Sequence, residues 1–227
     1  MGKPIRIEVP GIGDVGGWLA RPDGEPLGAL VVIQEIFGVN AHMRDVADGY
    51  AREGFVALAP AMFDPVEPDV ELGYGSAGFQ RGRALVNALG IDRAVTIVDA
   101  AARHLHADGL PVGAVGFCWG GTIAYLANTR LGLPAVSYYG ARTVAFLGEA
   151  LRAPMMFHFG AQDESIPAAD IAAHSASHPD ALVHVYPGGH AFNRDVDPQH
   201  FVPESARLAR RRTLDFFRSS LSASTSR

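Results

Sequence analysis

Pro111-Val112-Gly113-Ala114-Val115-Gly116-Phe117-Cys118-Trp119-Gly120-Gly121 is the stretch on which the reading of this chain turns. Its first half, Pro111 to Gly116, is short and apolar, the pattern of a strand buried on both faces. From Gly116 on, three glycines crowd around one cysteine, and the chain runs into a helical pattern from Thr122 to Asn128. A strand that passes into a helix through Gly-x-Cys-x-Gly is a nucleophile elbow with cysteine in the place usually held by serine. So tight a turn strains the central residue, and side chains two positions to either side would collide, which is why Gly116 and Gly120 have none. The cysteine then projects above the sheet. The first N–H groups of the following helix point at the same space and can stabilise a thiolate or an oxyanion.

Outward from the elbow the chain alternates strands and helices. Strands are expected at Ile5 to Val9, Gly16 to Ala20, Leu27 to Gln34, Phe55 to Ala59, Ala135 to Tyr139, Pro154 to Gly160 and Leu182 to Tyr186. Helical patterns cover Ala41 to Glu53, with Asn40 as cap and Gly54 as stop, then Phe79 to Leu89, Asp92 to His106, Ala168 to His178 and Glu204 to Leu221. Pro60 to Gly78 has no period and reads as a long, functional excursion. Such alternation predicts an α/β fold with a mostly parallel sheet covered by helices on both faces, its site at the carboxyl ends of the strands. No linker or repeat divides the chain, so residues 1–221 are expected to form one domain and 222–227 a flexible tail.

A thiol nucleophile needs a base, and the base an orienting acid. His190, in Pro187-Gly188-Gly189-His190 directly after the last strand, is the best placed of nine histidines. His158 lies inside a strand and reads as a packed core residue, and His200 falls beyond the expected loop. Asp163 is the first carboxylate past the strand that ends at Gly160, with Glu164 as its rival. The order nucleophile, acid, histidine is that of α/β-hydrolases.

Bulk properties narrow the class. Of 227 residues, 48% are hydrophobic and 19% charged, enough for a sizeable core, and the formal net charge of −5 favours neither nucleic acid nor an anionic membrane. One cysteine allows no intramolecular disulfide. There is no signal-peptide core and no apolar run near the roughly 20 residues that span a bilayer, so a cytoplasmic location is expected. No His or Cys spacing resembles a zinc site, and no cofactor is expected.

With these residues assembled, the sequence resembles the dienelactone hydrolase family. The resemblance rests on Glu35-Ile36-Phe37-Gly38-Val39-Asn40, on the elbow, on Tyr138-Tyr139-Gly140, on Asp163 and on Gly188-Gly189-His190. It implies an eight-stranded, single-domain α/β-hydrolase fold, usually monomeric, and a Cys118–His190–Asp163 triad that opens a small lactone or ester through a covalent thioester. It also implies that Glu35 contacts the resting thiol until substrate displaces it, since a carboxylate beside a thiol disfavours the thiolate. The backbone N–H groups of Ile36 and Trp119 would receive the oxyanion. Arg194, four residues after His190, and Arg81, with Arg83 as an equal alternative, would hold a substrate carboxylate. Ala59 to Phe63 departs from the family pattern, which leaves a general carboxylesterase or thioesterase open beside the lactonase. A non-catalytic binding or thiol-sensing protein is the reading from another class; it has no need for Asp163 and His190 together.

Overall fold

The computed structural model describes residues 1–222. Fourteen α and β elements follow the expected alternation: β1 (Lys3–Val9), β2 (Gly13–Ala20), β3 (Gly28–Ile33), α1 (Ala41–Arg52), β4 (Phe55–Pro60), α2 (Ser76–Leu89), α3 (Ile91–His106), β5 (Val112–Phe117), α4 (Trp119–Leu131), β6 (Ala135–Tyr138), β7 (Met155–Gly160), α5 (Ala168–Ser177), β8 (Leu182–Tyr186) and α6 (Pro203–Ser222). They build one eight-stranded sheet in the order β1-β2-β4-β3-β5-β6-β7-β8. β1 and β2 form an antiparallel hairpin, β2 pairs antiparallel with β4, and every later pairing is parallel. Every residue of β3, β4, β5, β6 and β7 is buried, as helices on both faces require. The edge strand β8 stays half open, with Leu182 and Val185 exposed.

The single α/β-hydrolase domain agrees with expectation, and the differences are local. The helix after the elbow begins at Trp119 rather than Thr122, directly behind Cys118, and all of Trp119 to Thr129 is buried. A helix surrounded by protein carries no polar stripe, so periodicity could not mark its start. α2 begins at Ser76 rather than Phe79, and its first turn lies so close to the preceding chain that a Cβ on Gly78 would strike the carbonyl of Gly73. Ser222, counted with the tail, closes α6, and the rest of the expected tail, 223–227, lies outside the described residues.

Two devices aim the sheet's carboxyl end. Asn40 caps α1, accepting the Met43 N–H through Oδ1, and its amide also reaches Tyr74 Oη at 3.2 Å. The excursion between β4 and α2 is thereby tied to the loop after β3, a contact repeated by the Leu72 N–H donating to Phe37. On the far side, α6 is joined to the sheet through Thr213, whose Oγ1 lies 2.7 Å from Tyr138 Oη and 2.9 Å from His158 Nε2. Tyr186 Oη completes the chain at His158 Nδ1, 2.8 Å away. His158 is the packed core histidine that its strand position suggests.

Candidate active site

Cys118 stands between β5 and α4 with φ 55° and ψ −121°, a conformation that L-residues rarely adopt. The surroundings hold it there. A Cβ on Gly116 would fall on the backbone of Gly120, and one on Gly120 would fall on the carbonyls of Ile33 and Gln34. The Cys118 N–H donates to the Tyr138 carbonyl at 3.0 Å, which fastens the turn to β6. Trp119 is the first residue of α4, so its amide has no acceptor within the helix. Two more residues with positive φ, Tyr139 (40°) and Ala191 (61°), flank the same space.

His190 follows β8 on a loop bound to the acid's own loop. The Gln162 N–H donates to Gly188, the Gly188 N–H returns to Gln162 Oε1 at 2.6 Å, and Gly160 has no room for a Cβ against the carbonyls of Gly188 and Gly189. The consequence is a 2.8 Å hydrogen bond from His190 Nδ1 to Asp163 Oδ2. A carboxylate only accepts, so Nδ1 carries the hydrogen and Nε2 is left for the thiol. Asp163 is 5% exposed and is fixed by the Ser165 N–H on its other oxygen, while Glu164 faces solvent. Burial alone would lower the basicity of His190. The neighbouring Cys118 and the hydrogen-bonded Asp163 outweigh it and push the imidazole up to about 10.

Glu35, just beyond β3, is 2% exposed, and both of its oxygens lie 3.2 Å from Arg194 Nη1. Arg194 gives its other terminal nitrogen to Asp197 at 2.6 Å, and Asp197 Oδ2 in turn meets His200 Nδ1 at 2.8 Å. The guanidinium lies 4.3 Å over the Tyr74 ring. Burial opposes its charge, but Glu35 and Asp197 hold it more firmly protonated than a free arginine. Its Nε–H is buried and has no partner among the described residues. Tyr139, whose hydroxyl donates to Asn193, is held neutral far above the usual tyrosine range by burial and by Glu35.

These groups open on a cavity of about 570 Å³ that Cys118, His190, Arg194, Ile36 and Trp119 all line. Its walls are mainly apolar, from Phe37, Phe79, Val86 and Trp119, and its lining includes no carboxylate. Of the two arginines weighed on α2, Arg83 lines the cavity, whereas Arg81 lies outside it in an exposed ion pair with Glu67. Tyr74, Gln80, Arg142 and His200 also line it and were not singled out from sequence. Among the described residues no group of three or more His, Cys, Asp or Glu side chains is arranged to hold a metal ion, and no helix is long and apolar enough to cross a membrane.

A strained cysteine between strand and helix, beside a histidine held by a carboxylate at the next strand ends, defines an α/β-hydrolase site. Comparison with known proteins narrows the class. Residues 15–221 match the model of the dienelactone hydrolase family. The carboxymethylenebutenolidase of Pseudomonas sp. strain P51 is 32% identical over 225 residues, covering 94% of each chain. A protein of Azospirillum brasilense provisionally named carboxymethylenebutenolidase is 36% identical over 222 residues, 92% of this chain and 95% of the other. A crystal structure from Klebsiella pneumoniae subsp. pneumoniae MGH 78578, provisionally named a dienelactone hydrolase, superposes with a TM-score of 0.81 at 28% identity, covering 96% of this chain and 98% of that one. The chain belongs to the dienelactone hydrolase family and is a hydrolase of lactone or ester bonds.

Proposed function

We propose that the protein hydrolyses a small lactone or carboxylic ester bearing a carboxylate, through Cys118, His190 and Asp163 and a covalent thioester. The observation that carries this reading is the 2.8 Å bond from His190 Nδ1 to Asp163 in the cavity that Cys118 also lines. His190 holds at Nε2 the proton given up by the thiol, as its raised basicity beside Cys118 and Asp163 favours, and the sulfur attacks the carbonyl carbon. The Ile36 and Trp119 amides receive the oxyanion. Collapse breaks the carbon–oxygen bond, and His190 protonates the departing oxygen, which in a lactone stays tethered to the acyl group. A water that gives its proton to His190 then attacks the thioester. The acid leaves, and the proton returns to the sulfur.

Arg194 takes the substrate carboxylate in exchange for Glu35. Glu35 and Asp197 already occupy its two terminal nitrogens, so a substrate carboxylate takes the Nη1 position only if Glu35 gives way. The exchange moves Glu35 from its resting place, where its carboxylate meets Arg194 and no contact with the Cys118 thiol is seen among the described residues. Binding of this kind needs no cofactor.

The test compares wild type with Cys118→Ala on a dienelactone and on a neutral activated aryl ester, with rapid-quench mass spectrometry for the acyl adduct. Both activities and the adduct should vanish in the variant. Retained hydrolysis in Cys118→Ala would overturn the mechanism.

A further inference from the structure

The cavity holds positive charge at two depths, and only the deeper charge is neutralised. Arg194 is met by Glu35 and Asp197. At the exposed mouth stand Arg83, its guanidinium over the Phe79 ring, and Arg142, just beyond Tyr139-Gly140. Neither side chain meets a carboxylate among the described residues, although most arginines of this chain do. Arg81, two positions from Arg83, is itself paired with Glu67. Phe79, Val86 and Trp119 give the same cavity an apolar wall. A small monoacid reaching Arg194 would leave the rim charges and much of a roughly 570 Å³ space unused.

We infer that Arg83 and Arg142 receive a second, distal carboxylate, so that the preferred substrates are lactones or esters carrying two acid groups separated by an apolar spacer. The inference rests on the hydrolase reading for the reaction but concerns a different part of the cavity. Arg142 sits where the backbone already fixes it: its N–H is 3.3 Å from Thr122 Oγ1, at the end of the strained turn through Tyr139. A guanidinium in this position presents a planar fork to a carboxylate that approaches from solvent. The apolar wall favours a hydrocarbon spacer over a polar one.

Binding of succinate, glutarate and adipate, against butyrate as the monoacid, is measured by calorimetry on Cys118→Ala, which requires no turnover. At least one diacid should bind roughly tenfold tighter than butyrate, the scale of one charge-assisted contact. Arg142→Met and Arg83→Met should each reduce that advantage several-fold. Arg81→Met, which removes the same charge from outside the cavity, should leave it intact. The inference is overturned if no diacid exceeds butyrate, or if the preference survives both rim substitutions. Because the neutral aryl ester assay of wild type reads the chemistry separately, hydrolysis without diacid preference would sink the rim assignment alone. Diacid binding without any hydrolysis would sink the mechanism alone.

Discussion

At the scale of single residues, the proposed site sets two carboxylates in different surroundings. Asp163 is the proposed orienting acid: among the described residues its side chain meets His190 Nδ1 and one backbone N–H. Asp163→Asn keeps the shape but can offer an N–H where the ring needs an acceptor, which favours the wrong tautomer. Turnover should fall on the order of 10³-fold with little change in KM. A loss under tenfold would remove Asp163 from the triad. Glu35 instead neutralises a buried arginine. Glu35→Gln leaves Arg194 with Asp197 as its one carboxylate in a site almost closed to water, so urea unfolding should register a loss of roughly 3 kcal/mol. An unchanged midpoint would mean that Asp197 suffices and that Glu35 is held only loosely.

At the scale of elements, the parts legible in the sequence are those fixed by local sterics. The elbow could be read because Gly116 and Gly120 stand at fixed offsets from Cys118, and the structure gives each a backbone carbonyl where a Cβ would go. His190 and Asp163 could be put forward as candidates because each is the first suitable group past a strand end, and the structure brings their side chains together. The face that α2 turns to the cavity was not legible. Arg81 and Arg83 looked equivalent, and what separates them is the packing of Gly82 on the carbonyl of Ile36, a contact across 46 positions of chain that turns Arg83 inward and Arg81 toward Glu67. Tyr74 was hidden for the same reason: nothing local shows that the aperiodic excursion folds back over Phe37 and Arg194. Docking of α6 is likewise tertiary, and Thr213 serves as its peg. Thr213→Val preserves volume but deprives His158 Nε2 and Tyr138 Oη of their shared partner, which should cost about 2 kcal/mol. Chemical denaturation checks this, and a neutral result would show that another group can take the hydroxyl's place.

The whole molecule carries its titratable histidines in two opposed settings, and together they set its response to pH. His158, His174, His178 and His184 are all held below the ordinary 6.5, in each case first by burial, with His184 and Arg212 adding to the effect at His158. They are neutral in the fold but take up protons in the unfolded chain once pH falls below about 6.5. The unfolded state then binds more protons, so their contribution is present above that pH and is lost as pH falls toward the depressed native values. His190 is the reverse case. Raised to about 10, it keeps in the fold a proton that the unfolded chain gives up near 6.5, so its contribution is full below 6.5 and is lost as pH rises through 10. The buried tyrosines extend the alkaline limb. Tyr50, Tyr74 and Tyr125 are pushed by burial to about 12, and they favour the unfolded chain above pH 10, where free tyrosines ionise. Stability should therefore peak close to pH 6.5, with the urea midpoint falling toward pH 5 and again toward pH 9. The two limbs have separate origins, so His190→Asn should flatten the limb between pH 7 and 9 and leave the acid limb alone. A midpoint that rises from pH 6.5 to 9 in wild type, or an alkaline limb of equal slope in His190→Asn, would show that the proton on His190 is not held by the neighbouring Cys118 and Asp163.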